Sequence, residues 1–242
     1  MPLVAVPNVS EGRDPRRIEA FGTAITSAGA RVLDIHSDPT HHRSVFTATG
    51  DFDALLGGIV ALSEACRAID LTRHDGAHPR LGGLDVCPFV PFEEDMTAAI
   101  AAAHTAAARI GDQGIPVFLY GAASERPETA ELPGIRKGGL EALTRRMGQG
   151  LHPDHGPGEI DPRVGVVCVG ARGPLIAFNV VLDAPRDAAK EIVGRIRDPS
   201  AVRALALELP IGVQVSMNLI DPARFGIDDA FAAVVDAAAG LG

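Results

Sequence analysis

Short apolar segments typical of β-strands alternate along this chain with longer segments in which apolar residues recur every three or four positions, as in helices. In the first part of the chain this pattern predicts strands at residues 3–6, 30–35, 44–49, 84–90 and 116–120. It predicts helices between them at residues 16–28, 52–69 and 95–111. A stretch rich in Pro and Gly follows at residues 125–162, with a short helix at 139–147.

A second, smaller unit is predicted after this stretch. Its strands are expected at residues 164–169, 175–182 and 211–219, and its helices at residues 186–197 and 227–239. We therefore expect an α/β (α+β) fold with two sandwich-like subdomains, residues 1–162 and 163–242, each a mixed β-sheet with helices packed on one face. Because such a sandwich normally closes with another strand, the C-terminal subdomain is expected to lack its last strand.

The composition excludes several classes of protein. The 242 residues carry a formal net charge of −9 and include only two lysines, so nucleic acid is not an expected partner. The longest Ala-rich run, residues 96–110, contains His104 and Arg109, so no membrane span is expected. No signal-peptide pattern precedes the first strand, which predicts a cytoplasmic protein. The three cysteines are expected to be buried free thiols: Cys66, Cys87 and Cys168.

Seven of the eight histidines fall in three segments outside the predicted helices. They are His36, His41 and His42 in the first segment, His74 and His78 in the second, and His152 and His155 in the third. A single loop histidine is most simply explained as a solvated side chain. Three such segments at the ends of strands in one α/β layer tend to converge on one rim, and histidine both takes and gives a proton near neutrality. The clustering therefore predicts a shared site.

His74 and His78 lie in the polar loop at residues 70–83. On a helix their spacing of four would place both on one face as metal ligands. Gly76 and Pro79 argue against a helix here, because Pro79 holds the residue before it extended. Two guanidinium groups beside the histidines would also repel a cation: Arg73 and Arg80. Acid/base chemistry on an anionic substrate is therefore favoured over a metal site.

Arginine is the side chain best matched to a carboxylate, which it binds through two parallel hydrogen bonds. Arg43 begins a predicted strand and Arg80 follows the second His segment, so a substrate that bears carboxylates is indicated. The alternative is that each arginine pairs with a carboxylate of the chain itself, such as Asp38, Asp70, Asp75 or Asp85.

Two further segments carry candidate ligand contacts. Asn8, Ser10 and Glu11 follow the first strand, where open α/β sheets usually bind ligands, although residues 14–15 also offer a plain helix start. Residues 156–165 are bracketed by glycines and either approach a ligand closely or form a linker. Nothing matches a P-loop, a GxGxxG turn or a GxSxG elbow, so nucleotide hydrolysis and α/β-hydrolase chemistry fit poorly.

Seven motifs spread over most of the chain combine these features. They are VPNVSEG at 6–12, HSDPTHHRSVF at 36–46, RHDGAHPR at 73–80, GLDVCPF at 83–89, VFLYG at 117–121, LIAFN at 175–179 and VQVSMNL at 213–219. In sequence and in order they resemble the motifs of the glutamate formiminotransferase family.

The resemblance implies that a folate-binding tunnel lies between the two subdomains. It also implies that a formimino group passes from N-formimino-L-glutamate to tetrahydrofolate, a co-substrate, as in histidine degradation, with His78 as the catalytic general acid/base. Substrate contacts are expected at Asn8, Ser10, Glu11, His36, Arg43, His74, Arg80 and Asp85. Folate contacts are expected at Gly156, Pro157, Gly158, Glu159, Ile160, Asp161, Pro162, Arg163, Val164 and Gly165.

This sequence departs from the family in three ways. His36 stands where mammalian members carry an Asp near the catalytic histidine, and the folate segment at residues 156–165 differs from the mammalian one at several middle positions. The last strand of the second subdomain and a cyclodeaminase domain are expected to be lacking. The exposed sheet edge of a shortened second subdomain would invite pairing with another copy, so a homodimer is expected.

Two other functions remain open at the level of the sequence. One is a metal-dependent hydrolase or deaminase that uses His36, His41, His74 and His78. The other is a module that binds folate or glutamate without catalysis. The donor of the transferred group is also open between formiminoglutamate, formylglutamate and a related amidine.

Overall fold

The structure of this chain is a computed structural model that describes residues 3–77, 79–91, 96–210 and 212–240. His78, the predicted catalytic residue, lies outside the described residues, as do Asp95 and Ile211 at the starts of two predicted elements. The chain divides into two compact units, Met1–Arg172 and Gly173–Gly242. The predicted boundary after residue 162 therefore moves ten residues toward the C-terminus.

Within the described residues the first unit contains a seven-stranded mixed sheet. Its strands are β1 (Leu3–Ala5), β2 (Asn8–Val9), β3 (Arg31–Asp38), β4 (Arg43–Gly50), β5 (Leu84–Pro91), β6 (Val117–Gly121) and β7 (Val167–Ala171). Both β1 and β2 pair antiparallel with β4 on one side and β5 on the other, so together they form one strand interrupted at Pro7. Strand β3 extends the sheet beyond β4, and β7 and β6 continue it in parallel from β5.

Three helices cover one face of this sheet: α1 (Pro15–Thr26), α2 (Phe52–Cys66) and α3 (Met96–Asp112). Asp14 and Asp51 cap the first two by accepting hydrogen bonds from backbone amides of the first turn. Their buried apolar side chains, such as Phe21 and Leu62, join the sheet residues in one core. The three free cysteines are all buried, as predicted.

The opposite face of the first sheet also has a core, which the prediction of helices on one face did not include. Helices α4 (Leu132–Arg136) and α5 (Gly139–Met147) pack there, where Leu143 contacts the same cluster as Phe118 of β6. The neighbouring Leu119 points into the first core instead, because side chains alternate along a strand. The α/β class with two sheet-containing units is confirmed, and the first unit is layered on both faces.

The second unit has the order β8 (Ile176–Leu182), α6 (Arg186–Ile196), β9 (Val202–Leu209), β10 (Gly212–Leu219) and α7 (Ile227–Ala239). The three strands form an antiparallel sheet in the order β8-β10-β9, and the two helices share one core with it. The predicted strand at 164–169 belongs to the first sheet, as β7. Strand β9 was not predicted, because its Ala, Leu and Glu residues favour helix and only pairing with β10 makes it a strand.

Two glycines bring the 70–83 loop against the segment that leads into β7. Gly82 and Gly165 form an isolated antiparallel bridge, and the amide of Val166 donates to the Leu81 carbonyl at 2.9 Å. Gly165 has φ +78°, and a Cβ there would overlap the Leu81 carbonyl oxygen. A side chain at this position is therefore excluded by both sterics and backbone conformation.

Replacing Gly165 should destabilise the first unit strongly. We expect Gly165→Ala to lower the free energy of unfolding by more than about 2 kcal/mol, since the substitution combines a left-handed φ with a backbone clash. Gly158→Ala is the matched control, because a Cβ at Gly158 meets nothing within 4 Å. Urea denaturation of both variants measures the difference, and equal midpoints would contradict the role assigned to this approach.

Candidate active site

The candidate site lies where the end of β2 meets the starts of β4 and β5. This convergence arises because β2 runs antiparallel to both neighbours. The amide of Ser10 donates to the Gly83 carbonyl at 2.8 Å, and the Ser10 hydroxyl donates to the Gly82 carbonyl at 2.7 Å. The end of the 70–83 loop is thereby fixed beside β2, which brings the first two predicted His segments together.

His74 is hydrogen-bonded through both ring nitrogens. Its Nε2–H donates to the Ser10 carbonyl at 2.8 Å, and its Nδ1 accepts a hydrogen bond from the Arg80 guanidinium. Burial, together with the positive charge of Arg80 and the nearby His42, lowers the pKa of His74 to about 4. His74 is therefore a neutral ring at physiological pH, and it orients Arg80, which also donates to the Gly76 carbonyl at 2.5 Å.

His42 stacks on His74, with ring centroids 4.0 Å apart and planes inclined by 18°. One of its nitrogens, Nδ1, lies 2.7 Å from the backbone carbonyl oxygen of Asp75, and the other, Nε2, lies 3.1 Å from a carboxylate oxygen of Glu11. His42 also has φ +51°, a left-handed conformation that is unusual for a residue other than glycine. Its contacts connect the β2 end, the start of β4 and the 70–83 loop.

Glu11 is engaged by the protein itself. Its Oε1 accepts hydrogen bonds from the amides of Arg13 and Asp14 at 2.9 and 3.1 Å, in addition to the one from His42. Burial raises the pKa of Glu11, but these hydrogen bonds outweigh that effect and hold the pKa below its usual range. The carboxylate therefore stays charged and fixes both the start of α1 and the His42 ring.

Arg43 begins β4 and faces a small polar niche. The niche holds about 10 Å³, room for about one water molecule, and is lined by Asn8, Val9, Ser10, His41, His42, Arg43, Pro79, Arg80 and Asp85. Burial lowers the pKa of Arg43 to about 10 against the attraction of Asp85. Asp85 itself accepts hydrogen bonds from the Leu81 amide and the Arg136 guanidinium. Among the described residues no carboxylate lies within ion-pair distance of Arg43.

A larger cleft of about 310 Å³ adjoins the niche, since Pro79 and Arg80 line both. Its other lining residues are Leu71, His74, Gly76, Ala77 and Leu140, the last of which comes from α5. One wall is therefore the 70–83 loop and another is the helical layer on the second face of the sheet. The niche has room for about one water molecule, while a larger molecule has room in the cleft.

The predicted folate segment ends against the same loop. Residues 156–159 and 161–163 are exposed, whereas Gly165 is buried. The Leu71 amide donates to the Arg163 carbonyl at 2.9 Å, and the Gly83 amide donates to the Val164 carbonyl at 3.1 Å. The segment thus approaches the candidate site through its C-terminal half.

Three of the clustered histidines lie away from the candidate site: His36, His152 and His155. His36 is exposed on β3 opposite Val45, and its ring forms no hydrogen bond within the described ranges. His155 borders the start of β6, where its backbone carbonyl accepts from the Val117 amide at 2.9 Å, and His152 accepts from Arg126 through its carbonyl. His41 stays at the niche, where Nδ1 lies 2.7 Å from the Asp38 carboxylate.

Within the part of the chain that the structure describes, no three His, Cys, Asp or Glu side chains come together in a way that would hold a metal ion. Nor does any helix there combine the length and the apolar character needed to cross a membrane.

Sequence reasoning placed neither His42 nor Arg136 among the site residues. His42 belongs to the first His segment, so its clustering was visible, but the stacking on His74 depends on its left-handed backbone. Arg136 is 51 positions from Asp85 along the chain and lies in a segment predicted as irregular, so no sequence signal pointed to it.

Known proteins match most of this chain. Residues 3–172 match the profile of the formiminotransferase domain, N-terminal subdomain. Over 228 residues the chain is 39% identical to a glutamate formimidoyltransferase of Streptococcus pyogenes serotype M1, covering 89% of this chain and 76% of that protein. A glutamate formimidoyltransferase of Thermoplasma acidophilum is 38% identical over 234 residues, covering 88% and 75%. A formimidoyltransferase-cyclodeaminase of Gallus gallus is 37% identical over 233 residues, covering 89% and 43%.

The helix-covered mixed sheet and the niche lined by histidine and arginine define an α/β protein with a polar site at the end of β2. Within that class, the chain belongs to the formiminotransferase family. It spans about three quarters of the length of the two glutamate formimidoyltransferases and less than half of the bifunctional relative.

Acidification should destabilise the fold through His74. Its pKa of about 4 lies below the value of 6.5 for an unperturbed histidine, so between these values the unfolded chain binds a proton that the folded chain does not. The stability contributed by neutral His74 is full above pH 6.5 and is lost as the pH falls toward 4. We predict that the difference in Tm between the wild type and His74→Asn shrinks over this range.

Thermal melts followed by circular dichroism at several pH values measure this difference. His104→Asn, on α3 and away from the site, is the matched control and should shift the melting curve by the same amount at each pH. A wild-type advantage over His74→Asn that stays constant or grows on acidification would contradict the assignment.

Proposed function

We propose that this protein transfers a formimidoyl group from N-formimidoyl-L-glutamate to tetrahydrofolate, as a step of histidine degradation and one-carbon metabolism. The observation that carries the proposal is the half-buried Arg43 guanidinium, which faces the niche without a carboxylate of the described chain in ion-pair distance. A substrate carboxylate would supply the missing anion. The names of the two relatives that are 38–39% identical support glutamate as the part of the donor that bears carboxylates.

Arg43 is better placed than Arg80 to hold the donor. Arg80 already donates to His74 and to the Gly76 carbonyl, so its orientation is set by the protein. Asp85 is held by the Leu81 amide and Arg136, which leaves its charge near Arg43 without an ion pair between them. Arg43 can therefore exchange solvent for substrate without breaking an internal ion pair.

His78 is proposed as the general acid/base, from its place in the RHDGAHPR motif. The N5 amine of tetrahydrofolate attacks the formimidoyl carbon, and His78 takes the proton that N5 loses. The bond from that carbon to the glutamate nitrogen then breaks, and the same proton passes from His78 to the departing nitrogen. The products are 5-formimidoyltetrahydrofolate and glutamate, with no covalent enzyme intermediate. Holding both substrates together contributes further rate enhancement.

Residues 156–165 are proposed to contact the folate, and the C-terminal unit to act as the second formiminotransferase subdomain. The hydrogen bonds from Leu71 and Gly83 to Arg163 and Val164 support the proposed folate contact, since they join the segment to the loop that carries His74 and Arg80. The exposed turn at residues 156–159 leaves its backbone groups available to a ligand. Asn8, Ser10 and His36 remain proposed substrate contacts.

We also propose a cytoplasmic location and a homodimeric state. The three buried free thiols are typical of a reducing compartment. Strand β3 lies at the edge of the sheet within the described residues, and Leu33 and Ile35 on it are 49% and 40% exposed. Size-exclusion chromatography with light scattering tests the dimer, and a monomer at micromolar concentration would reject it.

The decisive assay combines the protein with tetrahydrofolate and N-formimidoyl-L-glutamate and follows the absorbance of the methenyl product after acid treatment. His78→Ala should lower turnover by about 10²–10⁴-fold, because the proton transfer loses its positioned base. Folate binding, measured by fluorescence titration, should be retained. Full activity of His78→Ala would contradict the role proposed for His78.

Two results would instead support other functions. Tight folate binding by the wild type without transfer would identify a binding module. Stoichiometric zinc in elemental analysis, with activity toward an amidine or amide lost to a chelator, would identify a metal-dependent hydrolase.

Arg43→Gln should raise the KM for the donor by roughly 10–100-fold, because a charge-assisted pair with the substrate carboxylate is lost. The KM for tetrahydrofolate and the content of folded protein should change little. Arg145→Gln, at an exposed position of α5, is the matched control and should behave as the wild type. An unchanged donor KM in Arg43→Gln would reject the carboxylate site.

A further inference from the structure

We propose that Arg136 is a positioning residue: its guanidinium holds the Asp85 carboxylate, and this keeps Arg43 available for a carboxylate of the donor. The part of this inference that concerns donor binding rests on the proposed function, whereas the competition of Arg136 and Arg43 for Asp85 does not. Neither the sequence patterns nor the family resemblance assigns a role to Arg136.

Asp85 occupies an irregular position of β5. Leu84 pairs with Val9 and Val86 pairs with Asn8, so the residue between them has no partner on β2. Such bulges are common beside functional sites, because they redirect a side chain. The Asp85 side chain is 5% exposed and lines the niche. A carboxylate buried to this degree needs a cation or several hydrogen-bond donors.

Two arginines compete for this carboxylate. One Asp85 oxygen accepts a hydrogen bond from the Leu81 amide at 2.7 Å, and the other accepts one from the Arg136 guanidinium. Arg43 lines the niche with Asp85 and is attracted by it, but no ion pair joins these two described side chains. Arg136 therefore holds the carboxylate, and Arg43 interacts with the same charge from a greater distance.

A second carboxylate that attracts Arg43 is engaged as well. Asp38 accepts hydrogen bonds from the amides of Thr40 and His41, both at 2.8 Å, and its other oxygen lies 2.7 Å from Nδ1 of His41. The positive charge of Arg43 is therefore left for a ligand as long as both carboxylates keep their own partners.

Packing fixes Arg136 within reach of Asp85. Arg136 is the last residue of α4, and the preceding Ile135 is fully buried in the core on the second face of the sheet. Arg146 of α5 donates to the carbonyls of Gly134, at 2.9 Å, and of Ile135. Because these carbonyls belong to the last turn of α4, α5 holds that turn in place. The Arg136 side chain is 19% exposed, so its ion pair with Asp85 is mostly buried.

Removing the Arg136 guanidinium should transfer Asp85 to Arg43. The carboxylate would lose its ion-pair partner, and an unpaired buried charge is costly. Arg43 lines the same niche and can relieve that cost by moving toward Asp85. The pair that forms would close the site to a substrate carboxylate, because Asp85 takes the place of that carboxylate.

Urea denaturation tests the competition without any substrate. Arg43→Gln should lower the urea midpoint more in an Arg136→Met background than in the wild type, because only that background has an Arg43–Asp85 pair to lose. Methionine is chosen since it is unbranched and donates no hydrogen bond. The same change of midpoint in both backgrounds would overturn the proposal.

Steady-state kinetics tests the consequence for the donor. Arg136→Met should raise the donor KM roughly tenfold, with a much smaller change in kcat and in the KM for tetrahydrofolate, because Asp85 then neutralises Arg43. Adding Asp85→Asn should return the donor KM to near the wild-type value, since asparagine still accepts from the Leu81 amide but carries no charge. Arg145→Met, at an exposed position of α5, is the matched control and should keep the wild-type KM.

The double variant Arg136→Met/Asp85→Asn separates positioning from a purely structural role. If Arg136 only stabilised the fold, removing both partners would leave the donor KM raised, and that result would overturn the proposal. The double variant has no unpaired buried carboxylate at this position, so it serves as the test even where Arg136→Met alone does not fold. Arg136→Lys, which keeps the charge, should have a lower donor KM than Arg136→Met.

The two arms distinguish the possible failures. A larger effect of Arg43→Gln in the Arg136→Met background, without any formimidoyl transfer by the wild type, would reject the proposed function and keep the role of Arg136. Transfer by the wild type, with no such dependence on the background, would reject the role of Arg136 and keep the function.

Discussion

The antiparallel pairing of β2 with both β4 and β5 is the constraint on which the site depends. It brings the end of one strand beside the starts of two others, so side chains from three distant segments meet at one edge of the sheet. The hydrogen bonds from Ser10 to Gly82 and Gly83 then fix the 70–83 loop against that edge. Close approach of Gly165 to Leu81 holds the loop from the other side, where no side chain would fit.

Electrostatics determines the charge state and the hydrogen-bond partners of the residues at this edge. His74 is kept neutral by burial and by the charge of Arg80, so it serves as a hydrogen-bonding scaffold that aims a guanidinium. The Glu11 carboxylate is hydrogen-bonded within the protein, to the backbone amides at the start of α1 and to His42. Arg43 faces the niche, and among the described residues no carboxylate lies within ion-pair distance of it.

Much of this architecture could be predicted from the sequence. Strand and helix periodicities gave nearly all the elements of the first unit, and the grouping of histidines and arginines indicated that residues 8–11, 43 and 74–85 share a site. The predictions that failed concerned elements whose structure depends on tertiary contacts. Strand β9 has a composition that favours helix and is a strand through its pairing with β10, and β7 joined the first sheet by parallel pairing with β5 and β6. The stacking of His42 on His74 requires a left-handed backbone conformation at His42, which no sequence pattern predicts.

The contact between the β2 end and the 70–83 loop also bears on how the protein is made. Ser10 and Gly82 are 72 positions apart along the chain. The Leu81 carbonyl accepts its hydrogen bond from Val166, which is synthesised later still. Contacts of such long sequence separation form late in folding, because the loop they close is costly in entropy. A nascent chain therefore carries all the histidines of the first two segments well before it carries a site.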